Sequence, residues 1–281
     1  MKIGVLGAGT MGNGIAHVFA QYNHSVVLVD VIDSALSNAI NTIEKNLNRQ
    51  LQKKIISDSN VKKSISNIEL STKINSFKSC DLIIEAIKED LNLKSKIFKK
   101  LDSICKPSAI LASNTSSISI NSLAKSTNRP EKVIGMHFMN PVPMMKLVEI
   151  IKGEKTSKDT LELIINISKD LNKIPVQCND SPGFVSNRIL MPMINEAAHC
   201  YNEGVADAAS IDSIMKLGMG HPMGPLKLAD LIGVDVCVYI LNVLFDEFKN
   251  EKYKPSDILV NMVDKNELGK KTGKGFYNYE F

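Results

Sequence analysis

The sequence has few of the features that define specialised classes of protein. It contains no tryptophan, and its five cysteines are scattered as Cys80, Cys105, Cys178, Cys200 and Cys237, without a C-x-x-C pair. An odd, scattered set argues against a disulfide scaffold and against a zinc cluster, so we expect no metal site. Small, buried thiols are typical of a reducing compartment, which makes the cytoplasm the expected location.

Long hydrophobic runs and a strong charge of one sign are also missing. No apolar stretch reaches the ~18 residues of a membrane span, and the longest, 234–245, is interrupted by Asp235 and Asn242. The first six residues already resemble a strand, so we expect no signal peptide. The formal net charge is only +4, whereas nucleic-acid binders usually have a stronger basic footprint. We therefore expect neither a membrane nor a nucleic-acid partner.

The chain instead has the composition and pattern of a globular α/β protein. Hydrophobic residues make up 44% of it, which is enough for a sizeable core. Short apolar runs alternate with longer helical patterns, with predicted strands at 2–6, 25–30, 81–86, 109–112, 132–138 and 146–151, and predicted helices at 11–22, 33–53, 91–104 and 157–172. This alternation predicts a mostly parallel sheet with helices on both faces.

A turn signal over residues 179–183 ends the alternation, and the remaining sequence has a helical period. We therefore predict two domains. The first covers residues 1–180 and includes a helical excursion near 33–66, because the connection after the second strand is too long for one crossover helix. The second, 181–281, is predicted to be all-α, with about five helices.

A glycine-rich turn connects the first predicted strand with the first helix. The run G-A-G-T-M-G beginning at Gly7 matches G-x-G-x-x-G in the strand–turn–helix context that this motif requires. Gly7 permits the tight turn, Gly9 lets backbone approach a pyrophosphate, and Gly12 lets the helix pack on the strand. The helix N-terminus favours phosphate groups. We predict a Rossmann-type dinucleotide site that also includes Thr10 and Met11; the alternative is a turn without a ligand.

The end of the second strand indicates which dinucleotide is bound. Asp30 lies there, and a carboxylate at this point accepts hydrogen bonds from both ribose hydroxyls and repels a 2′-phosphate. No arginine or lysine follows between residues 31 and 38 to attract that phosphate. The sequence therefore predicts NAD rather than NADP as the cofactor.

One of the five histidines occupies a position suited to catalysis. His137 lies near the end of a predicted strand, and ligands of open α/β sheets bind at the carboxyl ends of strands. The next strand contains one acid, Glu149, in an apolar run, and a buried acid needs a partner. Pairing the two would fix the tautomer of the imidazole. The alternative is a structural ion pair.

Two polar segments could add to this site. Residues 113–117 place several hydroxyls in a loop after a short strand, although an ST-turn or a helix cap explains them equally well. Residues 181–188 open the helical domain and include Asn187, which could reach a substrate or simply lie on a helix surface.

With these elements assembled, the sequence resembles the L-3-hydroxyacyl-CoA dehydrogenase family over its whole length. The resemblance runs from Lys2 to the C-terminal stretch 269–277, and its most specific stretches are 113–117, 137–143, 180–188 and 221–225. The resemblance is greatest to bacterial members that interconvert (S)-3-hydroxybutyryl-CoA and acetoacetyl-CoA. It therefore implies an NAD-dependent oxidoreductase of fatty-acid or butyrate metabolism, with a Rossmann-type domain followed by a helical domain that forms a homodimer.

The resemblance also implies roles for individual residues. His137 is the implied general acid and base, Glu149 orients it, and Ser116 and Asn187 bind the reacting oxygen. Six positions match residues that touch the cofactor: Asp30, Glu89, Lys94, Asn114, Asn140 and Lys271. A dimer would also explain the methionine-rich apolar faces of the C-terminal helices (Met191, Met193, Met215, Met219 and Met223), for which core filling is the alternative.

The long helix after Asp30 is a candidate for binding the coenzyme A part of the substrate. Lys45, Arg49 and Lys53 recur at intervals of four residues. Like charges at this spacing repel, and a bound polyphosphate would turn the repulsion into attraction. We predict Arg49 and Lys53 as substrate contacts; the alternative is a solvated helix face. The segment after this helix lacks the glycine-bearing turn usual in the family.

Other functions remain open at this stage. A related dehydrogenase could act on a CoA-free hydroxy acid, and a catalytically silent NAD-binding protein could retain the fold. The silent form is expected to lose the histidine or its acid, whereas His137 and Glu149 are both present. A bifunctional enzyme with a hydratase is not expected, because the chain begins in its first strand.

Overall fold

The computed structural model describes residues 1–280, which form two compact units, the first of residues 1–180 and the second of residues 181–280. The first unit contains one eight-stranded sheet in the order β3-β2-β1-β4-β5-β6-β7-β8. Its strands are β1 (Lys2–Leu6), β2 (Ser25–Val29), β3 (Ile68–Ser71), β4 (Leu82–Glu85), β5 (Ile110–Ser113), β6 (Val133–Phe138), β7 (Leu147–Lys152) and β8 (Ile174–Asn179). Every neighbouring pair is parallel except β6 and β7, which confirms the predicted mostly parallel sheet.

Six helices connect these strands: α1 (Thr10–Gln21), α2 (Asp33–Gln52), α3 (Asp58–Ser66), α4 (Leu91–Ile104), α5 (Ile120–Ala124) and α6 (Lys158–Asp170). Side-chain caps fix several starts. Ser57 and Asn60 form a capping box on α3, and the Asp90 carboxylate accepts the Leu93 N–H at the start of α4. The central strands are buried on both faces, as parallel strands covered by helices require.

The two strands that the sequence did not predict are the edge strands β3 and β8. Both are half-exposed, so neither contains a continuous apolar run. Strand β8 also includes Pro175, which removes a donor from the ladder and is tolerated at an edge. The predicted long connection after β2 consists of α2 and α3.

The second unit is helical and has its own apolar core. Up to residue 280 it contains five α-helices, α7 (Ser186–Asn202), α8 (Ala208–Met219), α9 (Pro225–Ile232), α10 (Val234–Phe248) and α11 (Asp257–Asp264). Met191 is buried in this core, whereas Met219 is 65% exposed, so the methionine-rich faces serve partly as core filling. Within residues 1–280 no single helix is long and apolar enough to cross a membrane; α9 and α10 meet that test only as a pair bent by 97°.

Candidate active site

A buried pair, His137 on β6 and Glu149 on β7, lies next to the carboxyl end of β6. The two residues are directly opposite in the antiparallel register, which puts their side chains on the same face of the sheet. His137 Nδ1 lies 2.9 Å from Glu149 Oε2, and the residues are only 8% and 4% exposed. A carboxylate at this distance can accept a hydrogen bond from Nδ1–H, which fixes the tautomer of the imidazole.

The serine-rich loop after β5 is organised by one carboxylate, that of Glu89. Its Oε1 accepts hydrogen bonds from the backbone N–H groups of Ser116 (3.0 Å) and Ser117 (3.1 Å). The hydroxyl groups of Thr115 (2.5 Å) and Ser117 (3.0 Å) donate to the same oxygen. The Thr115 hydroxyl also accepts the Ser117 N–H at 3.3 Å, as in an ST-turn, and the Ile118 N–H at 2.8 Å. The loop geometry that presents Ser116 is therefore set by Glu89.

A buried lysine connects Glu89 to the sheet. Lys94 is 1% exposed, and its ammonium lies 2.7 Å from Glu85 Oε1 and 3.0 Å from Glu89 Oε2. Burial alone would raise the pKa of Glu89, but the Lys94 charge and the hydroxyl donors hold it below its usual range. Two carboxylates share one ammonium, so charge-assisted hydrogen bonds hold the end of β4, the loop that follows it and the first turn of α4 together.

Glu85 is a site residue that the sequence analysis missed. It ends β4, is fully buried, and accepts the Ser113 hydroxyl at 2.6 Å and the Ile87 N–H at 2.7 Å in addition to Lys94. The signal that could have found it is the one that indicated Glu149, namely a lone acid in an apolar strand. It holds together the carboxyl ends of β4 and β5, which are neighbours in the sheet.

The glycine-rich turn has the geometry of a dinucleotide site. A Cβ on Gly12 would lie 1.7 Å from the Gly7 carbonyl oxygen, so only glycine permits this close packing. A Cβ on Gly9 would meet nothing within 4 Å, which means that the space in front of α1 is open on the protein side. Thr10 and Met11 form the first turn of α1, which has no side-chain cap and so presents its N–H groups to that space. The residues present fit a pyrophosphate.

Asp30 lies beside this turn, immediately after β2. Its Oδ2 accepts the Ala8 N–H at 2.7 Å, and its Oδ1 accepts the Ile32 N–H at 3.0 Å. The carboxylate is therefore fixed against the glycine-rich turn. A mostly apolar cleft of about 330 Å³ lies nearby and is lined by Leu6, Val29, Val31, Thr72, Lys73, Ile74, Asn75, Ile97 and Lys100.

The two predicted asparagines of the first unit follow neighbouring strands. Asn114 comes directly after β5, and its Oδ1 accepts the Phe138 N–H at 2.9 Å, which ties the end of β5 to β6. Asn140 is exposed in the loop after β6. The structure thus brings the histidine pair, the serine loop, the glycine-rich turn and both asparagines to the carboxyl edge of one sheet.

The remaining predicted residues lie elsewhere. Arg49 and Lys53 are exposed at the C-terminal end of α2. In the second unit, Asn187 lies in the first turn of α7 and is 8% exposed. Lys271 pairs with Asp235, its Nζ lying 2.5 and 2.7 Å from the two carboxylate oxygens.

Comparisons with known proteins cover nearly the whole chain. The family model for the NAD binding domain of 3-hydroxyacyl-CoA dehydrogenase matches residues 2–181, and the model for its C-terminal domain matches residues 183–279. A 3-hydroxybutyryl-CoA dehydrogenase of Clostridioides difficile is 50% identical over 99% of both chains. The human mitochondrial hydroxyacyl-coenzyme A dehydrogenase is 44% identical over 98% of this chain and 90% of its own length.

A solved structure agrees with both the sequence match and the fold. The (S)-3-hydroxybutyryl-CoA dehydrogenase of Ralstonia eutropha is 45% identical, with a TM-score of 0.96 over 100% of this chain and 99% of that one. The two family models together span both units. This chain belongs to the 3-hydroxyacyl-CoA dehydrogenase family of NAD-dependent oxidoreductases.

Proposed function

We propose that this protein interconverts (S)-3-hydroxybutyryl-CoA and acetoacetyl-CoA, with the His137–Glu149 pair as its acid–base centre. The observation that supports this proposal most strongly is the buried 2.9 Å contact between the two side chains beside the carboxyl end of β6. Ligands of open α/β sheets bind at that edge. A histidine whose Nδ1 is held by a carboxylate can exchange a proton through Nε2.

The proton chemistry follows from this geometry. A bound NAD would supply the acceptor for the hydride of carbon 3 of the alcohol. Nε2 of His137 takes the proton of the 3-hydroxyl group as the ketone forms, and the Glu149 carboxylate stabilises the resulting imidazolium. In the reverse direction the imidazolium protonates the ketone oxygen. A positioned acid–base group of this kind contributes about 10²–10⁴-fold to the rate.

Ser116 is the proposed donor to the reacting oxygen. Its backbone N–H is engaged by Glu89 at 3.0 Å, which fixes the loop that presents its hydroxyl. A donor held in advance stabilises the charge that develops on oxygen during proton and hydride transfer. Asn187, in the second unit, is proposed as a second donor on the basis of family resemblance.

The proposed cofactor-binding residues lie at the carboxyl edge of the sheet. The turn from Gly7 to Gly12 would hold the pyrophosphate and Asp30 the ribose hydroxyls. The apolar cleft of about 330 Å³ near Asp30 is suited to the adenine ring. Lys94 is 1% exposed, so we propose that it acts on the cofactor site through Glu89 rather than by direct contact.

The other proposals concern the coenzyme A part of the substrate, two further cofactor contacts and the oligomeric state. Arg49 and Lys53 are proposed to bind the phosphates of CoA, since both side chains are exposed on the same face of α2. Asn140 and Lys271 are proposed cofactor contacts from family resemblance. We also propose a cytoplasmic homodimer that forms through the second unit and serves butyrate or fatty-acid metabolism.

An NADH-oxidation assay with acetoacetyl-CoA tests the function directly. The proposal predicts turnover that depends on the thioester and is lost with free acetoacetate. Longer 3-ketoacyl-CoA thioesters then define the chain-length preference. Equal or greater activity with a CoA-free keto acid would instead favour the related class of hydroxy-acid dehydrogenases.

A further inference from the structure

The loop of residues 139–146 joins His137's strand to Glu149's strand and carries Asn140. Its outer residues are exposed, with Met144 at 76% and Met145 at 42%, whereas Val142 is 2% exposed. The N–H groups of Met144 and Met145 both donate to the Pro141 carbonyl at 3.0 Å. The loop is therefore compact, and its position is decided by what holds Val142.

One side of the loop is held by Lys173, which lies just before β8. Its ammonium donates to the carbonyl oxygens of Val142 at 2.5 Å and Met145 at 2.7 Å, and the residue is 7% exposed. Within residues 1–280 no carboxylate lies within ion-pair distance of this ammonium, so its charge is met by backbone dipoles. Burying an ammonium without a counter-charge is costly, and an apolar side chain would fill the same space at less cost.

The other side of the loop contacts α1, the helix of the glycine-rich turn. A Cβ on Gly14 would lie 2.9 Å from the Cβ of Val142, so the loop packs directly against the helix backbone. Val142 is thus enclosed between the helix proposed to hold the cofactor phosphates and the Lys173 ammonium. Any shift of the loop would move Asn140, which is two residues away.

We propose that Lys173 is a positioning residue that clamps the loop 139–146 against α1 and so holds Asn140 where it contacts the cofactor. This inference rests on the proposed function, because Asn140 matters only if the sheet edge binds a nicotinamide dinucleotide. Lys173 itself touches only the loop. Loss of the Lys173 ammonium should therefore lower the affinity for the cofactor more than the affinity for the substrate.

Two titratable groups face Lys173 from other elements. Burial, and to a smaller extent the like charge of Lys146 just before β7, together lower the pKa of Lys173 to about 8. His17 on α1 is neutral at that pH, because burial lowers its pKa to about 4. The ammonium therefore loses its proton slightly above neutral pH, and the remaining amine is a weaker donor to the two carbonyls.

The test compares K173M, which keeps the length of the side chain but removes its donors, with the matched control K146M. At pH 7 we expect the NADH Kd of K173M to be about tenfold higher, which corresponds to about 1.4 kcal/mol of binding free energy. We also expect faster amide exchange in its peptide 139–147. The KM for acetoacetyl-CoA at saturating NADH should be unchanged. K146M should match the wild type in all three at pH 7.

The pH profile separates a clamp from a purely structural lysine. In the wild type, NADH affinity should decline above about pH 8 as Lys173 deprotonates. K146M should move that decline to higher pH because a neighbouring positive charge is gone, and K173M should lack it. If K173M fails to fold, comparing the pH dependence of NADH affinity in the wild type and K146M still tests the proposal.

Three results would overturn the proposal. K173M could keep the NADH affinity and the amide exchange of the wild type, or its NADH affinity could fall only in proportion to the fraction of protein that is unfolded. The third is that NADH affinity depends on alkaline pH in the same way in the wild type and in K146M. Failure of the proposed function is distinguishable from these. A wild-type protein that binds NADH but does not reduce acetoacetyl-CoA refutes the function and leaves the binding and exchange tests valid.

Discussion

At the residue scale, Glu89 acquires a role that its sequence position does not indicate. Family resemblance implies a cofactor contact, whereas in the structure its Oε1 receives donors from Thr115, Ser116 and Ser117. A carboxylate with this many donors acts first on the loop that carries Ser116. Hydrogen bonds to a charged group contribute about 1.5–3 kcal/mol each, so its loss should be felt at the reacting oxygen.

The variant E89Q tests this role. Glutamine offers one acceptor in place of two and turns an amide N–H₂ toward the loop donors or Lys94, so we expect kcat to fall about tenfold to a hundredfold. D90N is the matched control, since Asp90 is adjacent and caps α4 through the Leu93 N–H. Steady-state kinetics with acetoacetyl-CoA measure both. Equal kcat for E89Q and D90N would refute the role.

Asp30 gives a second prediction at this scale. Its two oxygens are fixed by the N–H groups of Ala8 and Ile32, so the charge cannot move away from an incoming 2′-phosphate. We expect kcat/KM to be more than about tenfold higher with NADH than with NADPH, and D30N to narrow that ratio. D33N, in the first turn of α2, is the control. A ratio near one in the wild type would contradict the assignment.

Single residues also show where sequence reasoning stops. His137 and Glu149 could be identified because each stands alone at a telling place in a strand, and Glu85 could have been found in the same way. Lys173 could not, because its partners are carbonyl oxygens of Val142 and Met145, distant in the chain and without any side-chain signature. Contacts between side chains and remote backbone appear only with the fold.

At the scale of elements, α2 carries the proposed CoA contact. The residues Lys45, Arg49 and Lys53 are all exposed. The variant R49E/K53E should raise the KM for acetoacetyl-CoA, because it replaces attraction for phosphates with repulsion. The NADH Kd should not change.

A charge reversal of equal size elsewhere provides the control. Lys158 and Lys169 are exposed on α6, and K158E/K169E should leave the KM for acetoacetyl-CoA unaltered. The ionic-strength dependence of KM should also weaken in R49E/K53E, since fewer charges are screened. An unchanged KM in R49E/K53E would show that this face of α2 is solvated surface.

The elements differ in how well their sequence specifies them. Central strands such as β4 and β5 are continuous apolar runs, because helices cover both faces, and their positions could be predicted to within about a residue. The edge strands β3 and β8 have no such run, because each is paired with only one neighbouring strand and stays half-exposed. Their existence follows from the completed sheet rather than from their own residues.

At the scale of the whole molecule, a buried histidine predicts how stability depends on pH. His17 is 1% exposed, and burial lowers its pKa to about 4. Between the ordinary value of 6.5 and this value, the unfolded chain binds a proton that the folded chain does not. Stability is therefore retained above pH 6.5 and falls as the pH drops through this window, by at most about 3 kcal/mol.

The variant H17Q should remove this part of the acid sensitivity, since glutamine does not titrate. Urea unfolding midpoints at pH 7 and pH 4.5 measure the effect, and the difference between the two midpoints should be smaller for H17Q than for the wild type. H221Q, at a loop position in the second unit, should keep the wild-type difference. If the difference between the two midpoints is as large in H17Q as in the wild type, other groups cause the acid sensitivity.

The architecture was predictable because strand and helix patterns alternate along the first unit and then cease. The glycine-rich turn fixed the place of the cofactor site in advance, because its three glycines have separate physical reasons at fixed spacing. The electrostatic cluster of Glu85, Lys94 and Glu89 was not predictable as a unit. It depends on how the chain turns between β4 and α4 and on the contact of this stretch, residues 85–94, with the serine loop 113–117, which local patterns do not encode.

The measurement that tests the account most directly is the rate of NADH oxidation with acetoacetyl-CoA in H137Q, at saturating concentrations of both substrates. The account predicts that kcat falls by about 10²–10⁴-fold while the NADH Kd stays at its wild-type value, because the imidazole exchanges a proton and does not bind the cofactor. A kcat in H137Q within a few-fold of the wild type would contradict it.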